Sequence, residues 1–199
     1  MSSRTQKVQI LVALAALLSL ATAVSCKGFF VNSPDSLTIS PNSVTFSDVP
    51  TDPEQLLAQA TFGSKTQDVT TSTVWKTSNV CTVSVSTTNL GQINAVGTGS
   101  SATITATYNG VSATITASVP TGIAVTPCGT FNSGTNQAFT ATLSGSDVTS
   151  ASTWTSSNNN IVNFASPSSS TATFGPTTGT ATINVSNGGS QGKLIVTVK

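Results

Sequence analysis

Apolar and polar residues alternate along most of the chain beyond residue 36. The clearest run places Ala102, Ile104, Ala106 and Tyr108 on one parity and Thr103, Thr105 and Thr107 on the other. Asn109-Gly110 follows, a dipeptide in which both residues accept positive φ and which closes tight hairpins. Val111, Ala113, Ile115, Ala117 and Val119 then alternate with Ser112, Thr114, Thr116 and Ser118. A period of two predicts strands with one buried face and one solvated, hydroxyl-covered face. Shorter runs precede this hairpin: Leu37-Thr38-Ile39, Val44 with Phe46, Leu56 to Phe62, Val74-Trp75, Val80 to Val85, and Ile93 to Val96. Pro41 suits an edge strand that breaks and switches sheets. Asp48, Pro50, Asp52 and Pro53 supply turn chemistry. About seven short strands separated by turns predict a two-sheet sandwich.

The pattern occurs twice. Trp75-Lys76-Thr77-Ser78-Asn79 returns as Trp154-Thr155-Ser156-Ser157-Asn158, and Ala102-Thr103-Ile104 as Ala181-Thr182-Ile183, both at an offset of 79. Asn187-Gly188-Gly189 gives the second copy its hairpin, and Leu194, Val196 and Val198 its closing strand. Ile123-Ala124-Val125-Thr126-Pro127 echoes Leu37-Thr38-Ile39-Ser40-Pro41 at an offset of 86, so the first copy is longer before its tryptophan. The turn from Ser47 to Glu54 is expected to hold most of the extra length.

The first 25 residues read differently. Arg4 and Lys7 precede an uncharged apolar stretch from Val8 to Val24, the layout of a secretory signal. Ala23-Val24-Ser25-Cys26 resembles the bacterial lipobox, in which a cysteine becomes acylated and begins the mature protein. Ala23 departs from the leucine usual at its position. The alternative is cleavage after Ala21-Thr22-Ala23, which would release a soluble protein and leave Cys26 free. Acyl chains on Cys26 would make the membrane a partner, since each buried methylene contributes about 0.8 kcal/mol. Lys27 after the cysteine, in place of a retention-type aspartate, favours an outer-membrane or surface address. Residues 26–35 read as a short tether, with Phe29 and Phe30 either at the membrane interface or packed on the first domain.

Composition sharpens this picture. The 199 residues are 37% hydrophobic but only 7% charged. Low charge with abundant Ser and Thr suits either a disordered stalk or an exported β-protein, and the alternation selects the second. Setting Arg4 and Lys7 aside with the signal leaves five basic against six acidic residues and no histidine. No basic cluster exists to displace counterions from nucleic acid, so none is expected as a partner.

At the repeated residues the chain resembles the bacterial Ig-like domain, group 2. Trp154-Thr155-Ser156-Ser157-Asn158 and Gly179-Thr180-Ala181-Thr182-Ile183 match that family well. Trp75 to Asn79, Val80-Cys81-Thr82-Val83 and Gly99 to Ala106 match more loosely. The resemblance implies an all-β fold of two tandem immunoglobulin-like β-sandwiches, 36–119 and 120–199, behind the signal peptide, with Trp75 and Trp154 in the cores. It also implies a non-catalytic cell-envelope role: surface adhesion or interaction with a glycan or protein ligand. The alternatives are an envelope spacer or scaffold, and an accessory carbohydrate-binding subunit of an exported enzyme complex. In a sandwich of this family, Cys81 and Cys128 both approach the junction between the repeats, where a disulfide would stiffen the pair. The other reading makes Cys81 a buried free thiol, since it shares parity with Val83 and Val85.

Catalytic chemistry finds little to use. Serine catalysis needs a positioned base, most often histidine. Lys65, Lys76 and Lys193 fall in turns or strand ends without a pocket pattern. Zinc lacks histidine and clustered cysteine. Asp48, Asp52 and Glu54 offer carboxylates to calcium, but Pro50 and Pro53 favour an ordinary solvated loop. No catalytic residue, metal or cofactor is therefore expected. Trp75 and Trp154 could act as sugar-stacking platforms, although their repeated position points to the core.

Overall fold

The computed structural model of the chain describes residues 33–199. Cys26, the signal segment 1–25 and Phe29 and Phe30 of the tether lie outside the described residues. Among the described residues no helix is long and apolar enough to cross a membrane.

The first half contains β1 (Ser36–Ser40), β2 (Ser43–Thr45), β3 (Glu54–Gln55), β4 (Leu57–Phe62), β5 (Lys65–Asp68), β6 (Val74–Thr77), β7 (Val83–Val85), β8 (Gln92–Ala95), β9 (Ser101–Tyr108) and β10 (Val111–Ser118). The second contains β11 (Ala124–Thr126), β12 (Gly129–Phe131), β13 (Asn136–Ala138), β14 (Thr140–Leu143), β15 (Ser146–Asp147), β16 (Thr153–Ser156), β17 (Val162–Phe164), β18 (Thr171–Phe174), β19 (Gly179–Asn187) and β20 (Ser190–Val198). The sheets of the first half, β1-β4-β5, β2-β10-β9-β6 and β3-β8-β7, recur as β11-β14-β15, β12-β20-β19-β16 and β13-β18-β17. Each half is thus an immunoglobulin-like sandwich, and its ten strands match those of the other one for one.

Two of the three strands beyond the expected seven arise because two long strands are broken in each copy. The opening strand changes sheets at Ser40-Pro41 and again at Thr126-Pro127: β1 pairs antiparallel with β4, whereas β2 runs parallel to β10. The next strand breaks at Leu56, and in the second copy at Phe139. Both side chains are fully buried, and their amides bond the carbonyls of Gly91 and Ser170, continuing the β3–β8 and β13–β18 registers before the chain changes partners.

Two apolar cores result. One runs from Leu37 to Val119 and includes Ile93, Ile104 and Trp75; the other runs from Ile123 to Val198 and includes Phe139, Ile183 and Trp154. Alternation drives both, because every second residue of β9, β10, β19 and β20 can leave water at about 25 cal/mol per Å² of apolar surface. The second core is the more aromatic. Phe131 stacks on Phe174 at 4.6 Å between centroids, and Trp154 lies 5.8 Å from Phe164.

The extra length of the first copy is not mainly in the Asp/Pro-rich turn. The offset between equivalent residues is 86 at Pro41 and Pro127, 83 at Ala58 and Ala141, and 79 from Asp68 and Asp147 onward. The β4–β5 hairpin has four residue pairs where β14–β15 has two. The hairpin therefore supplies four of the seven extra residues and the turn three.

Candidate functional site at the interdomain junction

Each sandwich is braced by the same polar motif, and the sequence reading overlooked its first half. Asp68 accepts the Thr70 amide at 2.9 Å, and Asp147 accepts that of Thr149 at 2.8 Å. The hydroxyl of Thr70 accepts the Ala58 amide at 2.8 Å, and that of Thr149 the Ala141 amide at 2.8 Å. The indole N–H groups of Trp75 and Trp154 donate to the carbonyls of Thr70 and Thr149, at 3.1 and 3.3 Å. With Trp75 9% and Trp154 1% exposed, both indoles are core members with their polar atom satisfied, not platforms for a sugar. Asp-x-Thr-x4-Trp stands in both copies at the same offset of 79, so the signal was present in the sequence.

The motif lowers both aspartate pKa values. Asp68 is held down by the Thr70 backbone amide first and its hydroxyl second; for Asp147 the Thr149 hydroxyl comes before the amide. Hydrogen bonds given to a carboxylate favour its charged form.

Where the sandwiches meet, the contact is built from backbone. The Thr98 amide donates to Lys193 O at 2.9 Å, and the Ile195 amide to Val96 O at 2.8 Å, with Gly97 opposite Leu194. The segment from Val96 to Thr98 thus lies antiparallel along β20, beside the stretch that β12 leaves uncovered. The Thr98 hydroxyl donates to Ile123 O at 2.8 Å and accepts the Lys193 amide at 2.9 Å. A sheet edge with unpaired amides invites pairing with another chain; here the first sandwich fills part of the edge of the second.

Side chains interlock across the same line. Ile195 packs against the first core, while Val96 packs against the second. Two glycines within the second sandwich let its entry segment lie against β20 beside this line. A Cβ on Gly192 would stand 2.3 Å from Ile123 O, and one on Gly122 would stand 2.1 Å from Gln191 O. Both distances are far inside van der Waals contact, and the atoms met are backbone.

Cys81 and Cys128 face each other across the junction and form a disulfide, with Cα atoms 5.3 Å apart. The parity that paired Cys81 with Val83 and Val85 does not hold, because the strand begins only at Val83. Residues Asn79 to Thr82 form a turn instead: the amides of Thr82 and Val83 bond Asn79 O, and the Cys81 amide bonds the Asn79 side chain at 3.0 Å. That turn carries Cys81 out of the core stripe to the end of the sandwich.

Lys193 lies within β20, not at a strand end as the sequence suggested. Its ammonium bonds both carboxylate oxygens of Asp48, at 2.6 and 2.8 Å. Lys193 therefore lowers the Asp48 pKa, with help from the Val49 amide at 2.7 Å. Asp48 is thus committed to the junction, while Glu54 lies exposed on β3. Among the described residues no three His, Cys, Asp or Glu side chains group to hold a metal ion.

No family model matches the chain, and no curated protein does. Solved structures do. Domains 5–6 of the S-layer protein SbsC are 18% identical, with 83% of this chain and 97% of that one covered and a TM-score of 0.36. Of the six-domain structure of the same S-layer protein, the match covers 28%. The C-terminal 282-residue fragment of intimin, solved with the intimin-binding domain of its translocated receptor, is 14% identical over 84% of this chain and 64% of that one, at a TM-score of 0.30. The titin Ig tandem A164-A165 is 12% identical over 84% and 97%, at 0.26.

Proposed function

We propose that this is a non-catalytic protein of the bacterial cell envelope, anchored by acyl chains on Cys26. In this reading its tandem Ig-like domains, of the group 2 bacterial type, serve surface adhesion or interaction. The observation that carries the reading is the junction. A disulfide, a backbone ladder and an ion pair fix one sandwich on the other, and Cys81, Cys128, Asp48 and Lys193 are committed there. The outward threonines and serines of β9 and β10, such as Thr103, Thr105, Thr114 and Thr116, remain free to meet a polar glycan or protein surface. The export signal and the lipobox-like Ala23-Val24-Ser25-Cys26 support the address.

The test has two arms. Antibody against the sandwiches is applied to intact and to permeabilised cells expressing the untagged protein, and the cells are fed an alkyne-bearing fatty acid. Labelling of intact cells, with acylation lost in Cys26→Ser, is the expected result. Labelling only after permeabilisation, or acylation unchanged in Cys26→Ser, overturns the surface or the anchor part respectively. The fixed junction also favours a second reading, an envelope spacer that holds its ends apart without a ligand. A glycan array and whole-cell binding separate the two, since a spacer binds neither.

A further inference from the structure

The disulfide matters for where it stands along the chain as well as in space. Cys81 precedes β7 and Cys128 follows β11, so the bond joins points 47 positions apart in sequence. Between them lie β7 to β10, the connection between the sandwiches, and β11. A tensile load applied at the two ends of the chain meets a branch at Cys81. One arm is a single sulfur–sulfur bond; the other is the whole intervening polypeptide. The short arm tightens first, and the long arm then carries no load.

We propose that the protein is a load-bearing link in which the Cys81–Cys128 bond carries tension past residues 82–127. Under load the first sandwich yields only the chain that precedes Cys81, although its hydrophobic core extends to Val119. Val96, Gly97 and Thr98, which pair with β20, lie inside the bypassed loop. They stay tied beside the second sandwich when the first has been pulled open. The proposal rests on surface attachment only for the origin of the load in the cell. The test supplies the load directly, so its answer does not depend on where the protein resides.

The full chain is held by handles at its two termini and stretched, with and without prior reduction verified by thiol alkylation. Two unfolding steps are expected. The step of the second sandwich lengthens on reduction by no more than about 30 Å, because only β11 and the connection before it precede Cys128, while its strands from β12 onward follow it. The step of the first sandwich lengthens on reduction by about 130 Å, the reach at about 3.4 Å each of the residues from Thr82 to Val119, where its core ends. The variant Cys81→Ser/Cys128→Ser, pulled without reductant, gives the long step as well. If that variant does not fold, the comparison on the unaltered chain stands alone. Equal lengths before and after verified reduction overturn the proposal, as does a second step that lengthens as much as the first. Absence of intact-cell labelling beside a clear difference of about 130 Å in the first step removes the surface reading and leaves the link.

Discussion

Lys193 of the second sandwich holds the carboxylate of Asp48 in the first, across 145 positions of sequence. The pair is open to solvent, with 56% of the Asp48 side chain exposed, so its contribution is small. Asp48→Asn should cost no more than about 1 kcal/mol near neutral pH, and less in high salt. Chemical denaturation at two ionic strengths measures this.

The same pair sets the acid response. The pKa of Asp48 lies below its ordinary value because of Lys193 and the Val49 amide, and those of Asp68 and Asp147 because of Thr70 and Thr149. A carboxylate lowered on folding stabilises the protein above its unfolded pKa, about 3.9 for aspartate, and ceases to do so as pH falls through the lowered value. Melting temperature should therefore be flat near neutrality and decline from about pH 4 downward. A triple Asp48→Asn/Asp68→Asn/Asp147→Asn variant should show a shallower decline. An equally steep decline in that variant would place the acid sensitivity elsewhere.

The brace beneath each tryptophan should be unequal in the two copies. Thr70→Val and Thr149→Val keep the shape of the side chain but leave the Ala58 or Ala141 amide without its acceptor. An unpaired buried donor costs about 1–3 kcal/mol. The bond from Ala58 is buried and that from Ala141 only partly so, hence Thr70→Val should be the more damaging. Each sandwich holds one tryptophan, so fluorescence in variants keeping only Trp75 or only Trp154 reports each half during urea unfolding.

Beside the junction, Gly192→Ala should act where its counterpart does not. Ala113 occupies the equivalent position of β10 in the first sandwich, so a methyl group is accommodated there. At Gly192 a methyl group meets the Ile123 carbonyl. Overpacking of this kind costs about 1–3 kcal/mol. Denaturation of Gly192→Ala should show that loss, and a loss below half a kilocalorie would mean the segment at Ile123 can move off β20 without cost.

Reduction of the disulfide should lower stability by about 4 kcal/mol, the chain-entropy value for a loop of this length. Urea unfolding with and without reductant checks it, and an unchanged midpoint would mean that the bond gives no net stabilisation through the unfolded chain.

The repeated sandwich was legible in the sequence because it is written in two local signals, alternation and the hairpin dipeptide Asn109-Gly110. The brace was half legible: Trp75 and Trp154 stand out, but Asp68 and Thr70 resemble any solvated turn until the second copy is laid over the first. Cys81 misled because parity presumes an unbroken strand, and the turn at Asn79 breaks it. The junction was the least legible part. Its strongest contacts run through main-chain atoms of Val96, Thr98 and Ile195, which no side-chain pattern announces. Gly192 looks like an interruption in a strand until the carbonyl of Ile123 is seen against it.

The cover on β20 also imposes an order of assembly. As the chain is made, the first sandwich is complete long before β20 follows, and domains generally fold in that sequence. Val96 to Thr98 are then already in place as a template. The second sandwich is finished against its neighbour, and a version produced without that neighbour would present bare amides at Lys193 and Ile195 to the nearest strand of another molecule.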